Sequence, residues 1–195
     1  MFFNLTMKQT FIIEHLEPKL WEWCIIEYKN ISKIIGKKNL WFTNIKENGK
    51  KLQALGKVIE ESIKNLNLKN ACVLDPKARE ELNSRDSKKF DYFIFGGILG
   101  NHPPEKRTEK ELSNYIKWAK KRNLGKAQLS TDSAVFVVKQ ILEGKKLIEM
   151  KFQDSAEIKI NKIESVILPY KYPLKNNKVF MSKELVRYLK KKKSF

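Results

Sequence analysis

The chain has 195 residues and a mass of 23.0 kDa, enough for one α/β domain whose folding buries roughly 70% of the surface of the unfolded chain. Its formal net charge is +18, and its 42% hydrophobic and 11% aromatic residues exclude a disordered basic tail. Such a charge favours association with polyanions such as RNA, DNA or an anionic membrane. Cys24 and Cys72 have no nearby cysteine, which excludes a disulfide framework or a Cys-x-x-Cys metal site. Since we also find no leader pattern and no long apolar run, we expect a cytoplasmic protein without a membrane span.

The first half of the chain alternates predicted strands with predicted helices. Short apolar runs predict strands at residues 10–13, 39–43, 71–74 and 92–95. Apolar residues at steps of three and four predict a helix that starts at Pro18 and ends before Gly36. Trp21 on this helix and Trp41 in the second predicted strand are expected in the core. The same spacing predicts a second helix between Leu52 and Leu66. Alternation of this kind predicts an α/β fold with a mostly parallel sheet covered on both faces.

The second half begins with helices and ends with weaker strand signals. Thr108 to Glu111 has the form of a capping box and predicts a helix start, and Ser130, Thr131 and Asp132 offer N-caps for a helix through Leu142. Weaker patterns predict strands at residues 148–152, 157–160 and 165–168, a short helix from Ser182 and a basic end at residues 190–193.

A glycine-rich loop follows the strand predicted at residues 92–95. Gly96, Gly97 and Gly100 allow a ligand to approach the backbone beyond the carboxyl end of that strand, where open α/β sheets bind their ligands. The spacing differs from the dinucleotide-binding fingerprint, and the chain has no P-loop sequence. The loop is therefore either a binding loop or a tight turn. A second turn, at residues 123–132, precedes a predicted helix, and two such loops at adjacent strand ends would form one pocket.

Several segments together resemble a small family of SPOUT-class, S-adenosylmethionine-dependent methyltransferases. The resemblance extends from about Lys8 to Tyr172 and rests on residues 11–15, 74–76, 89–104 and 129–132. It implies a trefoil-knotted α/β domain over residues 8–172, followed by a basic C-terminal helix and tail over residues 173–195. A eukaryotic member methylates an arginine of a small-subunit ribosomal protein, and the family has also been described as RNA methyltransferases.

The resemblance implies that S-adenosylmethionine is bound by three loops. The matching positions are Leu74, Asp75 and Pro76 in the first loop, Phe95, Gly96, Gly97, Ile98, Leu99 and Gly100 in the second, and Leu124, Gly125, Gln128, Leu129, Ser130 and Thr131 in the third. Adenine needs an apolar slot with a few main-chain hydrogen bonds, and glycines permit a close approach. The chain has Asn101 where the family pattern has aspartate.

An arginine acceptor requires carboxylates that orient the guanidinium and take up its proton. Glu14, Asp75 and Asp132 are the predicted catalytic residues, although a turn at Asp75 and a helix N-cap at Asp132 are the structural alternatives. The predicted substrate-binding residues are Glu14, His15, Asn101 and His102. The two histidines are either bases or loop supports. No cluster has metal-ligand spacing.

Three functions remain open from the sequence. The first is an S-adenosylmethionine-dependent methyltransferase that modifies an arginine of a ribosomal or RNA-associated protein. The second uses the same cofactor with ribosomal or transfer RNA as acceptor, and the third is a non-catalytic RNA-binding module. All three fit the basic charge, which also suggests contact with RNA or a ribosomal particle. The sequence leaves monomer and dimer undecided.

Overall fold

The protein, described by a computed structural model over residues 8–100, 103 and 105–192, is built on a six-stranded sheet. The strands of this sheet are β1 (Thr10–His15), β2 (Leu40–Thr43), β3 (Lys57–Val58), β4 (Ala71–Leu74), β5 (Tyr92–Gly97) and β6 (Lys120–Arg122). Their spatial order is β3-β2-β1-β5-β4-β6, and every pairing is parallel. The predicted α/β class with a mostly parallel sheet is therefore confirmed. All six strands end at the same edge of the sheet.

Two hydrophobic layers cover the faces of this sheet. On one face, Phe11 and Phe95 belong to a cluster that includes residues of α1 (Glu22–Ile35) and α2 (Thr131–Leu142). On the other face, Ile12 and Ile94 pack with Leu112 and Ile116. Because both sides of the central strands are buried, their middle positions, Phe11–Ile13 and Phe93–Phe95, are apolar in succession instead of alternating with polar residues.

The C-terminal part of the chain adds short strands and a third helix. These elements are β7 (Phe152–Gln153), β8 (Ala156–Lys159), β9 (Ser165–Leu168), β10 (Tyr172–Lys175), β11 (Lys178–Val179) and α3 (Lys183–Lys191). β10 pairs antiparallel with β7 and β11, and β8 pairs antiparallel with β9. Leu185 and Leu189 of α3 pack in one cluster with Ile26 of α1. The predicted domain boundary after residue 172 thus falls inside β10, and α3 is part of the fold.

The predicted helix between Leu52 and Leu66 is wrong. This stretch forms β3 and short 3₁₀ turns, and Asn44, Asn48 and Asn67 adopt positive φ angles around them. Gly56 passes so close to β2 that a Cβ atom there would lie 2.5 Å from the carbonyl oxygen of Leu40. Leu52 and Leu55 pack in one hydrophobic cluster and Ile63 and Leu66 in the other, so these apolar residues do not form one helix face.

Three other expectations need correction. α1 begins at Glu22 instead of Pro18, and Trp21, expected in the core, is 45% exposed at the N-cap. The helix expected from Thr108 is a single π-helical turn, Glu109–Ser113, without a side-chain cap. The short polar strand β6 has no apolar pattern that the sequence analysis could detect. The end of α1 at Gly36, with φ 82°, and the start of α3 at Ser182, whose side chain accepts hydrogen bonds from the N–H groups of Glu184 and Leu185, are confirmed.

No helix within the described ranges has the length and apolar character that a membrane span requires. The trefoil knot stays a prediction.

Gly97 is a packing glycine. A Cβ atom on Gly97 would lie 2.3 Å from the Tyr28 hydroxyl oxygen and 3.0 Å from Cγ2 of Ile13, so it would point into the core beneath the loop. We expect Gly97→Ala to lower the free energy of unfolding by about 1–3 kcal/mol, measured by urea denaturation. In Tyr28→Phe the clashing oxygen is absent, so Gly97→Ala should cost less in that background than in the wild type. Equal stability of Gly97→Ala and the wild type would contradict this account.

Candidate active site

A cavity of about 270 Å³ lies at the sheet edge where β4, β5 and β6 end. It is lined by Leu74–Lys77 after β4, by Phe95, Gly96, Ile98 and Gly100 at the end of β5 and beyond it, by residues 124–129 after β6, by residues 105–109, and by Thr131 and Ala134 of α2. This is the position at which open α/β sheets bind ligands. The glycine loop therefore has a binding cavity beside it, which favours the binding-loop interpretation over a mere turn.

Most of the residues predicted to bind the cofactor line this cavity. They are Leu74, Asp75, Pro76, Phe95, Gly96, Ile98, Gly100, Leu124, Gly125, Gln128, Leu129 and Thr131. Gly97, Leu99 and Ser130 do not line it. Gly97 faces Tyr28, and Leu99 packs against the core. The Ser130 hydroxyl donates to Asp132 and lies 2.8 Å from the Ser133 hydroxyl, from which it can accept. These three residues contact the protein interior and help to fix the conformation of the second and third loops.

The cavity has the character that an adenine nucleoside requires. Its walls include the side chains of Leu74, Phe95, Ile98 and Leu129, and main chain is exposed at Gly96. An apolar slot with polar groups supplied by nearby backbone is the usual design of a nucleoside site. The residues present thus fit S-adenosylmethionine, with the adenosine against the apolar walls.

Arg107 fixes the second loop from a segment that the sequence analysis did not single out. Its Nη1 donates to Glu17 Oε1 at 2.7 Å, and its Nε donates to Glu111 Oε1 at 2.6 Å. Glu17 Oε1 also accepts a hydrogen bond from the Leu99 N–H at 2.9 Å. Because bidentate, charge-assisted contacts have a defined geometry, this network holds the loop beside the cavity in one conformation.

The C-terminal part of the chain ties the second and third loops together. The Tyr170 hydroxyl donates to the Gly100 carbonyl at 2.5 Å, and the Lys171 N–H donates to the Gln128 carbonyl at 2.9 Å. A Cβ atom on Gly100 would lie 2.1 Å from Nε2 of Gln128 and 2.8 Å from a ring carbon of Tyr170. Gly100 is therefore required by protein packing as well as by its place in the cavity wall.

Glu14 does not line the cavity, a position that does not fit its predicted contact with the acceptor. Its side chain is fully buried, and its carboxylate accepts hydrogen bonds from Thr43 Oγ1 and Ser62 Oγ at 2.5 Å each and from the Ile63 N–H at 3.0 Å. Both oxygens are occupied by donors from two other parts of the chain. Glu14 anchors those segments to the end of β1.

His15 is likewise a core residue. Its Nδ1 forms a 2.8 Å hydrogen bond with the Tyr28 hydroxyl, and its side chain is outside the cavity lining. Burial lowers the pKa of His15, which keeps the ring neutral at neutral pH. This position does not fit the predicted substrate contact, because the ring is bonded to Tyr28 beneath the glycine loop. Asn101 and His102, also predicted to bind substrate, lie outside the described residues.

Asp75 is the one predicted catalytic carboxylate that lines the cavity. Its Oδ1 accepts from the Lys77 N–H at 2.8 Å, and its Oδ2 accepts a very short hydrogen bond from Ser113 Oγ. These contacts form the turn that the sequence offered as the structural alternative, and they bind that turn to the segment on the other side of the cavity. A catalytic role for Asp75 stays a prediction.

Asp132 forms a buried carboxyl pair with Glu27, away from the cavity. Asp132 accepts hydrogen bonds from Asn30 Nδ2 at 2.8 Å and from its neighbour Ser130, and Glu27 accepts one from Trp23 Nε1 at 2.9 Å. Burial, together with the charge of Asp132, raises the pKa of Glu27 to about 8, and burial also raises the pKa of Asp132. The predicted catalytic role of Asp132 does not fit this position, because its side chain joins α2 to α1.

Comparison with known proteins agrees with this geometry. Protein arginine N-methyltransferase SFM1 of Saccharomyces cerevisiae is 36% identical over 200 residues, which cover 93% of this chain and 94% of the yeast protein. The crystal structure of the yeast enzyme with S-adenosylmethionine matches with a TM-score of 0.86 at 33% identity and covers 95% of this chain and 91% of that one. Trm10 of Thermococcus kodakaraensis shares the fold alone, with a TM-score of 0.59 at 19% identity over 72% of this chain and 96% of that one.

The fold, the cavity and these relatives together define an S-adenosylmethionine-dependent methyltransferase with a SPOUT-like fold. The family model described as "Protein arginine N-methyltransferase SFM1-like" matches residues 10–194. The chain belongs to this family, so the enzyme class and cofactor predicted from the sequence are confirmed.

The Glu27–Asp132 pair makes stability depend on pH. Folded Glu27 keeps its proton up to about pH 8, whereas in the unfolded chain it ionises near its ordinary value. A carboxyl whose pKa is raised by folding contributes stability at low pH that is lost as the pH rises, by at most about 1.4 kcal/mol per pH unit. We expect the free energy of unfolding of Glu27→Gln to fall less steeply between pH 5 and pH 8 than that of the wild type. Glu22→Gln, at an exposed position on the same helix, should keep the wild-type slope, and an unchanged slope in Glu27→Gln would contradict the assignment.

Proposed function

We propose that this enzyme methylates the guanidinium group of an arginine in a protein. The observation that carries the proposal is the position of Glu105 and Glu109, which line the same cavity as the cofactor loops. Neither carboxylate has a hydrogen bond or ion pair within the described part of the chain. Two carboxylates without such partners are suited to a guanidinium, which presents several N–H donors in a fixed plane.

The division of work between residues follows from the chemistry of the acceptor. When bound, S-adenosylmethionine supplies an electrophilic methyl group. The guanidinium arrives protonated, and the methyl group takes the place of one of its N–H protons, so one proton must leave as the N–C bond forms. Glu105 and Glu109 orient the guanidinium, and one of them accepts this proton.

We further propose that the substrate is a ribosomal or RNA-associated protein in the cytoplasm. The net charge of +18 supports this, because it favours approach to an RNA-rich particle. The two free thiols, Cys24 and Cys72, are both buried, in keeping with a reducing compartment. The name of the yeast relative, an arginine methyltransferase, supports a protein acceptor.

The direct test uses an extract of source cells from which the gene for this enzyme has been deleted. The purified enzyme and S-adenosylmethionine with a labelled methyl group are added to this extract. We expect the label to be lost on protease digestion, to resist ribonuclease and to appear as methylarginine after hydrolysis. Label that is released by ribonuclease would contradict a protein acceptor and would support methylation of RNA instead.

Glu109→Gln tests the proposed role of the free carboxylates. The substitution keeps the shape of the side chain and removes a charge-assisted contact worth about 1.5–3 kcal/mol, so single-turnover methyl transfer should slow by roughly ten- to a hundredfold. Calorimetry should give an unchanged affinity for S-adenosylhomocysteine. Glu47→Gln, at an exposed site outside the cavity lining, is the matched control and should react at the wild-type rate. Equal rates for Glu109→Gln and Glu47→Gln would remove Glu109 from the mechanism.

A further inference from the structure

A second concave surface lies on the C-terminal part of the fold, between β8, β11 and α3. This groove encloses about 550 Å³, and its lining shares no residue with the active-site cavity. Its apolar part is formed by small and aliphatic side chains such as Ile158, Val179 and Val186. We call it the C-terminal groove.

The rim of the C-terminal groove is strongly basic. Lys183, Arg187 and Lys190 lie on α3 at positions i, i+4 and i+7, so they share one face of the helix, and all three are exposed. Lys159 adds a fourth exposed cation from β8, against the single carboxylate of Glu157. None of the four cations has an ion pair within residues 8–100, 103 and 105–192. Arg187 also interacts electrostatically with Glu184, which Lys29 already pairs, so most of the positive charge is available to a partner.

The helix carries this basic face because its other face is occupied. Leu185 and Leu189 are buried against α1, while Glu184 pairs with Lys29 at 2.7 Å. Packing thus fixes the rotation of α3 about its axis. Lys183, Arg187 and Lys190 are left in a row along the groove.

We propose that the C-terminal groove binds the phosphodiester backbone of RNA. A row of cations along a helix matches a ligand that carries one negative charge at every repeat, and the net charge of +18 attracts such a ligand from a distance. Among the described residues that line the groove there is no aromatic side chain, so it offers no platform for base stacking. Binding is therefore electrostatic and independent of sequence.

The binding of RNA by the groove does not depend on the proposed function, but its role in substrate recognition rests on that proposal. If the acceptor protein is assembled on RNA, the groove holds that RNA while the acceptor arginine enters the separate cavity. The basic rim of the groove attracts phosphate and repels a free guanidinium, so the groove is not the site at which the acceptor arginine binds.

The test is fluorescence polarisation of a labelled 20-nucleotide oligouridine with the full chain at 50–200 mM salt. Four phosphate contacts on a single strand predict a slope of about −2.8 in log affinity against log salt, which is roughly a 50-fold loss over this range. The triple variant Lys183→Gln, Arg187→Gln, Lys190→Gln should reduce the magnitude of the slope by about 2. The matched control is the triple variant Lys69→Gln, Lys88→Gln, Lys117→Gln. These lysines are exposed and precede β4, β5 and β6, and this variant should keep the wild-type slope.

Equal losses in the two triple variants would overturn the proposal, because bulk charge alone would then explain binding. It would also be overturned if a polyglutamate peptide of equal charge bound as tightly and was lost in the groove variant, since the groove would then be a site for acidic proteins. The assay uses no cofactor, so its failure leaves the methyl-transfer proposal intact. Failure of arginine methylation leaves the polarisation result intact in the same way.

Discussion

The parallel pairing of β5 with β1 on one side and β4 on the other is the constraint on which the site depends. The carboxyl ends of parallel strands lie at the same edge. The pairing of β4 with β5 therefore places the turn after Leu74 beside the glycine loop after Phe95. β6 continues the order and brings the third loop to the same edge. The cavity is then closed by α2, whose Thr131 hydroxyl donates to the Gly96 carbonyl at 3.4 Å. The order of the strands thus determines where the cavity lies, and the contacts within the loops determine its shape.

The acidic residues near this edge divide into structural and free groups, and burial separates them. Glu14 and Asp132 are buried, and their carboxylates accept several hydrogen bonds each, so they hold segments of the fold together. Glu105 and Glu109 are not buried and have no such contacts among the described residues. A carboxylate that already accepts two or three hydrogen bonds gains little from a guanidinium, whereas a free one gains a charge-assisted pair. Availability of the oxygens, more than position at a strand end, is therefore the reason for proposing Glu105 and Glu109 as the acceptor site.

The sequence predicted the elements whose signals are local and missed those that depend on distant contacts. β1, β4 and β5 were evident because buried parallel strands are continuous apolar runs, and most of the three loops followed from the resemblance. The sequence does not indicate the buried hydrogen bonds of Glu14, because the donors Thr43 and Ser62 lie 29 and 48 residues away along the chain. Glu109 lies inside the predicted capping box of residues 108–111, a pattern that indicates a helix start and not a cavity residue. The groove beside α3 was equally hidden, since only the folded chain brings β8 next to the lysines of the last helix.

Calorimetric titration of S-adenosylhomocysteine into Ala134→Leu tests the location of the cofactor site most directly. Ala134 lies in the first turn of α2 and lines the cavity, so a leucine there fills space in which the adenosine is expected to bind. Helix propensity is nearly unchanged by this substitution, and Ala134→Ser keeps the size of the side chain as a control. The account predicts a loss of affinity of about tenfold or more in folded Ala134→Leu, equivalent to at least ~1.4 kcal/mol, and wild-type affinity in Ala134→Ser. Unchanged affinity in a folded Ala134→Leu protein would place the cofactor elsewhere and contradict the account.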